Sequence, residues 1–599
     1  MKSNLKILLF LLILTQSTIL GAAESITHDG LRFSMVPDID NRSFFGYCYI
    51  RVIVANSSPR ARQIRFFMRA DYARDLQQVS RSFTIQPQET REESLLFPKS
   101  DFSTPGLQVE VDGYSLEQTL WQYYRSYRDY YGKTQALVDS KISKNEFDLT
   151  FGATGAYGAK GLELNHFDGS LAQLFHNWLG FSQFNILVFR SETIDKMPAP
   201  VKQAIFDYIR AGGVLMVIGQ TLMPADFTRV SDDDAATFFD GGFGRVLLLK
   251  NDILKLPEQT EERPEAPDNS IESLAPGKHS AHRPSVIGGT ITPEIEICSL
   301  FSDTSIKMRS PFPFEASELE TLSARWLMVV IYLFALLIGP VNVFVLYRMG
   351  RRILVFLTVP VASLICCGFI YSYYLVFESS TLLVKRQTLT LLDERESRAV
   401  SLCNYGIFSA RSRPEGLHFS MQTEVYHMSR DDYRSNDAGK YIVLDEDQHL
   451  ADGWIKPKIP RYLHLRSVET RRERVTLSMR DGRLQLMNGL GADIDKLFIK
   501  TRAGKIYSLK NLAAGNTAEL KPEPSMQSTE IISSPATIFN EHWFGKISDL
   551  TALPEEYLRP GTYVASLKQS PFLRQAIESE AVVSEEAAII GILREEPGS

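Results

Sequence analysis

Residues 200–218 read PVKQAIFDYIRAGGVLMVI, and the reading of this stretch decides the fold. Val201, Ala204, Ile205, Tyr208 and Ile209 recur at the spacing of one helical face, which predicts an amphipathic helix over Pro200–Ala211. Gly212-Gly213 follows, and glycine ends a helix cheaply because it tolerates the left-handed conformation. Gly212 is the predicted helix-ending residue. Val214–Ile218 then runs apolar without interruption, as a strand buried on both faces of a parallel sheet does. The glycines lie at a helix end, where outward carbonyls repel anions, so they do not form a phosphate loop.

The same alternation extends in both directions. Strands are predicted at Gln135–Ile142, Leu162–Phe167, Asn185–Phe189 and Arg245–Leu249, with further helices at Ser170–Trp178 and Asp232–Phe239. Residues 133–250 therefore read as a doubly wound α/β domain, a parallel sheet with helices on both faces.

Residues 24–132 read as an immunoglobulin-like β-sandwich followed by an aromatic helix. Cys48–Val54 is β-prone, Asn56-Ser57-Ser58-Pro59 is a turn, and Arg62–Ala70 alternates, with Ile64, Phe66 and Met68 on one face. Ser82–Ile85 and Ser94–Phe97 continue the pattern. Ser115 and Gln118 form a capping box for a helix over Tyr114–Tyr131, which carries Trp121, Tyr123, Tyr124, Tyr127 and Tyr130. That helix reads either as domain packing or as a sugar-stacking or membrane-surface element.

The N-terminus reads as a signal peptide over residues 1–23. Lys2 and Lys6 precede the apolar run Leu8–Leu14, and Gly21-Ala22-Ala23 offers small residues for cleavage, although an uncleaved anchor is also compatible. Residues 326–347 and 353–377 are uncharged and exceed the ~20 residues needed to cross a bilayer. Arg348, Arg351 and Arg352 in the loop 348–352 mark it as cytoplasmic. This predicts a transmembrane hairpin with both flanking segments, 24–324 and 379–599, exported. Gly339-Pro340 and Pro360 lie inside the spans, as a cavity kink or as ordinary helix packing. Neither span holds the ionisable group a proton or ion path uses.

Residues 251–324 read as a polar, proline-punctuated linker and a return to the membrane. Residues 378–599 read as an exported β-rich domain, irregular over 384–470 and then a second sandwich over 471–525. Its clearest turn is Asp481-Gly482, between Val475–Met479 and Leu484–Met487. Ser570-Pro571 is predicted to start a short helix. The chain as a whole has 599 residues, 44% apolar and 23% charged, with a net charge of −6. Those are globular proportions, and they give no electrostatic case for nucleic-acid binding.

Trp178–Phe189 (WLGFSQFNILVF) with Ala204–Ile218 resembles the class I glutamine-amidotransferase-like fold, in the versions found in bacterial membrane-anchored exported proteins. Tyr332, Gly339-Pro340, Asn342, Leu346 and Arg351-Arg352 resemble the hairpin of that group. The resemblance implies a β-sandwich first, a membrane hairpin after the α/β domain, and β structure last. Amidotransferases of this class use a Cys on a strand-turn-helix elbow paired with a His. No Cys lies between 49 and 297 here, and the turn after Asn185–Phe189 reads Arg190-Ser191-Glu192 without flanking glycines. Thiol chemistry is thereby excluded from that domain.

Other candidates are weaker. Ser191 with His166 or His176 would be a serine nucleophile pair. Gly152–Gly161 is glycine-rich but matches neither a dinucleotide fingerprint nor a P-loop, and Asp232-Asp233-Asp234 lacks the spaced ligands of a calcium loop. His279 and His282 lie in the linker. Cys48, Cys298 and Cys403 are scattered, and Cys366-Cys367 lie in the second span, so no disulfide framework or metal spacing exists. No catalytic, cofactor-binding or metal-binding residue is therefore assigned, and no cofactor is expected. The expected function is a non-catalytic binding or scaffold protein of the inner (plasma) membrane, meeting other membrane or envelope proteins. Two alternatives stay open: an accessory subunit of an envelope transporter or assembly complex, and an exported hydrolase with an unrecognised site.

Overall fold

A computed structural model describes residues 25–35, 46–69, 76–98, 106–122, 134–142, 162–167, 171, 174–232, 236–250, 324–350, 352–377, 382–413, 415–428, 440–522, 558–574, 576–577 and 580–594. The chain is β-rich, with several sheets and few helices. The predicted signal segment, the loop Gly152–Gly161, Asp233, Asp234, the linker with His279 and His282, and Cys298 lie outside the described residues.

The sheet of the α/β region has five parallel strands in the spatial order Leu162–Phe167, Thr134–Asp139, Ile186–Arg190, Val214–Ile218, Gly244–Leu249. Val214–Ile218 sits between two parallel neighbours and every residue in it is buried, which is why its sequence shows no alternation. Ala199–Arg210 is the amphipathic helix expected there. It ends in a Schellman motif: Gly212 N–H donates to the Ile209 carbonyl (2.8 Å) and Gly213 N–H to the Tyr208 carbonyl (2.9 Å), with Gly212 at φ +111°. A Cβ on Gly213 would lie 2.1 Å from the Tyr208 ring, so the second glycine is required by packing.

Four helix expectations fail, three of them in the N-terminal half. The described residues of 232–239 belong to an antiparallel hairpin, Thr228–Asp232 with Ala236–Gly241, that extends the sheet beyond Gly244–Leu249. Thr237, Phe238 and Phe239 are β-prone, and Gly241 and Gly242 close a tight turn back into Gly244–Leu249. Ser170–Trp178 is not one helix: among its described residues Leu171 lies in a 3₁₀ turn, 174–177 are irregular, and a 3₁₀ helix then runs over Trp178–Gln183. Asn177 starts it by accepting a hydrogen bond from Leu179 N (2.9 Å), the competition that makes Asn a cap rather than a helix interior. The aromatic stretch begins as strand: Tyr114–Ser115 and Trp121–Gln122 both pair with Gly106–Val111. The capping-box reading at Ser115 and Gln118 is overturned by that ladder, and 123–131 lies outside the described residues.

The N-terminal sandwich packs one sheet (Ser25–His28, Leu31–Met35, Tyr47–Asn56, Thr90–Pro98) on a second built around Arg62–Arg69, Leu76–Ile85 and Gly106–Val111. Ile64, Phe66 and Met68 face the core and are fully buried. Asn56 fixes the turn, accepting from Ser58 N (2.9 Å) and donating to the carbonyls of Arg60 (2.9 Å) and Gln86 (3.0 Å).

This sandwich is not a self-contained N-terminal domain. Lys440–Leu444, from beyond the apolar helices, runs parallel to Leu76–Ile85 and brings Gln448–Leu450 and Leu417–Phe419 into the same sheet. Leu382, Val384, Tyr405, Leu463 and Leu465 fill the same core as Phe33, Val52 and Phe66. The described residues of 384–470 are also not irregular. Leu382–Asp393 and Arg398–Ser409 are long paired strands, buried along nearly their whole length on both faces, and that double burial erases the alternation.

The sheet continues through Glu580–Ile592, Thr562–Leu567, Ile494–Lys500 and Ile506–Leu512. The hairpin Arg474–Arg480/Arg483–Gly489, turning at Asp481-Gly482 as expected, packs onto it with Thr517–Glu519 to make the second sandwich. Pro571 begins no helix among the described residues.

Between the two segments lie the apolar helices. The first comprises Ala324–Leu336, a wide π turn at Leu337–Val341, and Asn342–Arg348. The wide turn falls at Pro340, whose ring cannot fit a regular turn and which donates no hydrogen bond. Ile331–Arg348 is long and apolar enough to cross a membrane. The second, Val355–Phe377, carries the apolar run Val355–Phe369. Asn342 Nδ2 donates to Thr358 Oγ1 (2.9 Å), joining the two helices.

Candidate functional site

The carboxyl ends of the parallel strands are where α/β sheets bind ligands, at the point where strand order reverses. Here that point lies between Thr134–Asp139 and Ile186–Arg190. Asp139 is buried there, and its carboxylate accepts from Lys141 N (3.0 Å) and Arg190 N (3.3 Å). The group thus ties two strand ends together. Ser191 follows as the first residue of the short helix Ser191–Lys196, and Arg190 enters it at φ −75°, ψ 146°. A nucleophile elbow holds its residue in a strained, sharp turn, and this entry is relaxed. Thr221 Oγ1 donates to Asp195 Oδ1 (2.7 Å) and laces the next loop to the same helix.

His176 is exposed, and its backbone N–H donates to the Tyr49 hydroxyl oxygen at the sandwich interface. No hydrogen bond joins it to Ser191 among the described residues. His166 lies in the outermost parallel strand, Leu162–Phe167. Among the described residues, Ser191 and His176 are therefore not brought together as a serine pair. Cys48 and Cys403 are buried thiols outside any disulfide, and burial pushes the Cys403 thiol up to about 12. Among the described residues no group of three or more His, Cys, Asp or Glu is placed to hold a metal ion.

The most elaborate constellation is a junction of the three modules, centred on Trp178–Gln183. Towards the N-terminal sandwich, Tyr47 N donates to Ser182 Oγ (3.0 Å), which in turn donates to the Leu179 carbonyl (2.7 Å). Gly46, at φ +75°, lets the strand approach so closely that a Cβ there would lie 2.4 Å from Gln183 N. Towards the C-terminal segment, Asn177 Nδ2 donates to the Met421 carbonyl (2.9 Å) and Trp178 Nε1 to the Gln422 carbonyl (3.1 Å).

The ring of Trp178, 1% exposed, lies under the Arg466 guanidinium at 5.7 Å. Arg466 also donates to the Ala211 carbonyl at the end of Ala199–Arg210 (3.2 Å) and pairs with Glu424. Tyr47 closes the triangle: its hydroxyl donates to Gln448 Oε1 (3.0 Å) and accepts from Val425 N (2.8 Å).

A buried ion cluster flanks this junction. Arg210 grips Asp226 with two hydrogen bonds (2.7 and 3.0 Å) and Asp207 with a third (2.9 Å), while Arg398 of the C-terminal segment stands 3.7 Å from Asp207. Burial raises the Asp207 carboxyl above its ordinary range, outweighing the lowering by Arg398 and Arg210.

Sequence reasoning missed the junction. It quoted Trp178–Gln183 for a fold resemblance and gave its side chains no role. It also missed the His418–His449 pair, stacked at 4.1 Å across adjacent strands with Asp447 3.1 Å from His418. Only the run of buried aromatics around Trp178 could have pointed to the junction.

No protein-family model matches the chain, and no curated protein matches it. Among solved structures, the yeast delta-COP-I mu-homology domain is similar over 35% of this chain and 95% of that one, at 8% identity and a TM-score of 0.15. The same domain complexed with a Dsl1 WxWxV peptide matches over 35% and 96%, at 9% identity and a TM-score of 0.15. A Paenibacillus cycloisomaltooligosaccharide glucanotransferase complexed with cycloisomaltoheptaose matches 34% of this chain and 28% of its own, at 11% identity and a TM-score of 0.13. Likenesses at these TM-scores carry no argument about fold or function.

Proposed function

We propose that the chain is a membrane-anchored scaffold or binding protein of the cell envelope, non-catalytic, with both large segments on the exported side. One observation carries the topology: Lys440–Val443 pairs in parallel with Leu76–Ser80. Strands that share a ladder must lie in one compartment. The intervening helices therefore cross a membrane an even number of times, which means twice if Ile331–Arg348 crosses it.

The scaffold reading rests on where the polar side chains go. At the carboxyl edge Asp139 is spent on backbone amides, and at the junction Tyr47, Asn177, Trp178 and Arg466 are spent on joining modules. The strand order of the α/β region supports a degenerate amidotransferase-like module as the finer description. The natural partners of such a scaffold are other envelope proteins, including the membrane subunits of a transporter or assembly complex.

Reporter fusions test the topology. Fusions after residues 300 and 560 should both read as exported, and one at 350 as cytoplasmic. A cytoplasmic 560 fusion overturns the reading. The purified full chain should release no ammonia from glutamine, and thiol-sensitive release would sink the non-catalytic part.

A further inference from the structure

The second apolar helix ends at Phe377, and the first strand after it starts at Leu382. Five residue steps reach at most about 18 Å, so the Leu382 end of the strand stays within that distance of the helix exit. Leu382 pairs with Ser409, and the Ser409 carbonyl accepts from Lys458 N (2.7 Å). The stretches 409–413 (SARSR) and 454–461 (WIKPKIPR) therefore meet at this end of the sheet, and neither contains an acidic residue. Arg411 and Lys458 are exposed, Arg413 and Lys456 half-buried, and Ile459 stands 48% exposed among them. A basic cluster around one protruding aliphatic side chain is the composition that engages an anionic membrane surface.

We infer that Arg411, Arg413, Lys456, Lys458 and Ile459 form a contact surface for anionic phospholipid headgroups of the leaflet from which the second helix emerges. The inference rests on the membrane-anchor reading above. The occupant follows from the short tether, which keeps this face of the exported body at headgroup level, and from the sign of its charge. The contact holds the body upright beside its anchor. The opposite end of the same strand pair, at Arg395 and Glu396, lies about 36 Å away, given ~3.3 Å per residue along a twelve-residue strand.

The test uses the full chain with Cys298, Cys366 and Cys367 replaced by serine and an Ile459→Cys or Glu396→Cys label bearing an environment-sensitive dye. It is reconstituted in phosphatidylcholine vesicles with or without phosphatidylglycerol, each doped with a headgroup nitroxide quencher. The label at 459 should be quenched more in the anionic vesicles. That excess should fall by at least about half as salt rises from about 0.01 M to 1 M, where the screening length drops from about 30 Å to about 3 Å. Arg411→Glu with Lys456→Glu and Lys458→Glu should abolish the excess, while the label at 396 stays unquenched throughout. Equal quenching at 459 in both lipids, or none, overturns the proposal while the chain remains embedded. A chain that alkaline carbonate strips from the vesicles overturns the anchor reading and this proposal together.

Discussion

Glu394 gives the sharpest quantitative prediction. It sits in the turn between the long strands Leu382–Asp393 and Arg398–Ser409, 4% exposed. Its Oε1 accepts from Val475 N (2.8 Å) and from the hydroxyl of the fully buried Tyr563 (2.9 Å), so it fastens the outer hairpin of the second sandwich to the main sheet. Burial, against the lowering by those hydrogen bonds, pushes the carboxyl from 4.5 up to about 7. The folded state therefore holds its proton more tightly than the unfolded chain does. Stability from this group is fully present below about pH 4.5 and is lost as pH rises towards 7.

At about 1.4 kcal/mol per pH unit, the loss amounts to about 3 kcal/mol across that window. Glu394→Gln keeps the acceptor oxygen and removes the titration. Hydrogen exchange of the Arg474–Arg480 amides in the solubilised full chain, corrected for the intrinsic pH dependence, reads the local stability. The wild-type protein should lose protection between pH 5 and pH 7.5 relative to the glutamine variant. Parallel profiles, or wild-type protection that rises with pH relative to the variant, would refute the reasoning.

Two further outcomes follow from packing. Gly213→Ala should lower the melting temperature more than Gly482→Ala. The first drives a Cβ into the Tyr208 ring, which is held by bonds to the Phe184 and Asn185 carbonyls, whereas the second meets open space and costs only the left-handed strain of about 1–2 kcal/mol. Trp178→Ala should cost about 3–5 kcal/mol and open the junction, read as faster limited proteolysis on both sides of the helical pair, while Trp178→Phe should retain most of the packing and lose only the bond to the Gln422 carbonyl.

Local chemistry made the α/β core legible. The helix over Ala199–Arg210, the glycine stop and the strand Val214–Ile218 each announce themselves within a few residues. The relaxed entry to Ser191 was likewise readable from the missing glycines. What stayed hidden is non-local. Nothing in Lys440–Leu444 specifies that it will extend a sheet built from residues 62–111, because that choice is made by the shared core of Phe66, Tyr405 and Leu465. Asp232-Asp233-Asp234 resembled a helix start, yet the β-prone Thr237–Phe239 and the ladder to Gly244–Leu249 decided the segment. The strands Leu382–Asp393 and Arg398–Ser409 looked irregular because burial on both faces removes the period-two pattern that reveals a strand.

One body is built from both sides of the apolar helices, and a crosslink tests that directly. Ser80 and Val443 are register partners in neighbouring parallel strands. Adjacent strands lie about 4.8 Å apart, within the span a disulfide bridges, and partners at one register point to the same face. Ser80→Cys with Val443→Cys in the membrane-embedded full chain should oxidise to a disulfide, seen by mass spectrometry as a peptide joining the two strands, whereas Ser80→Cys with Glu396→Cys should not. Two thiols at 80 and 443 that remain open to maleimide after oxidation would contradict the single-body architecture and, with it, the topology built on it.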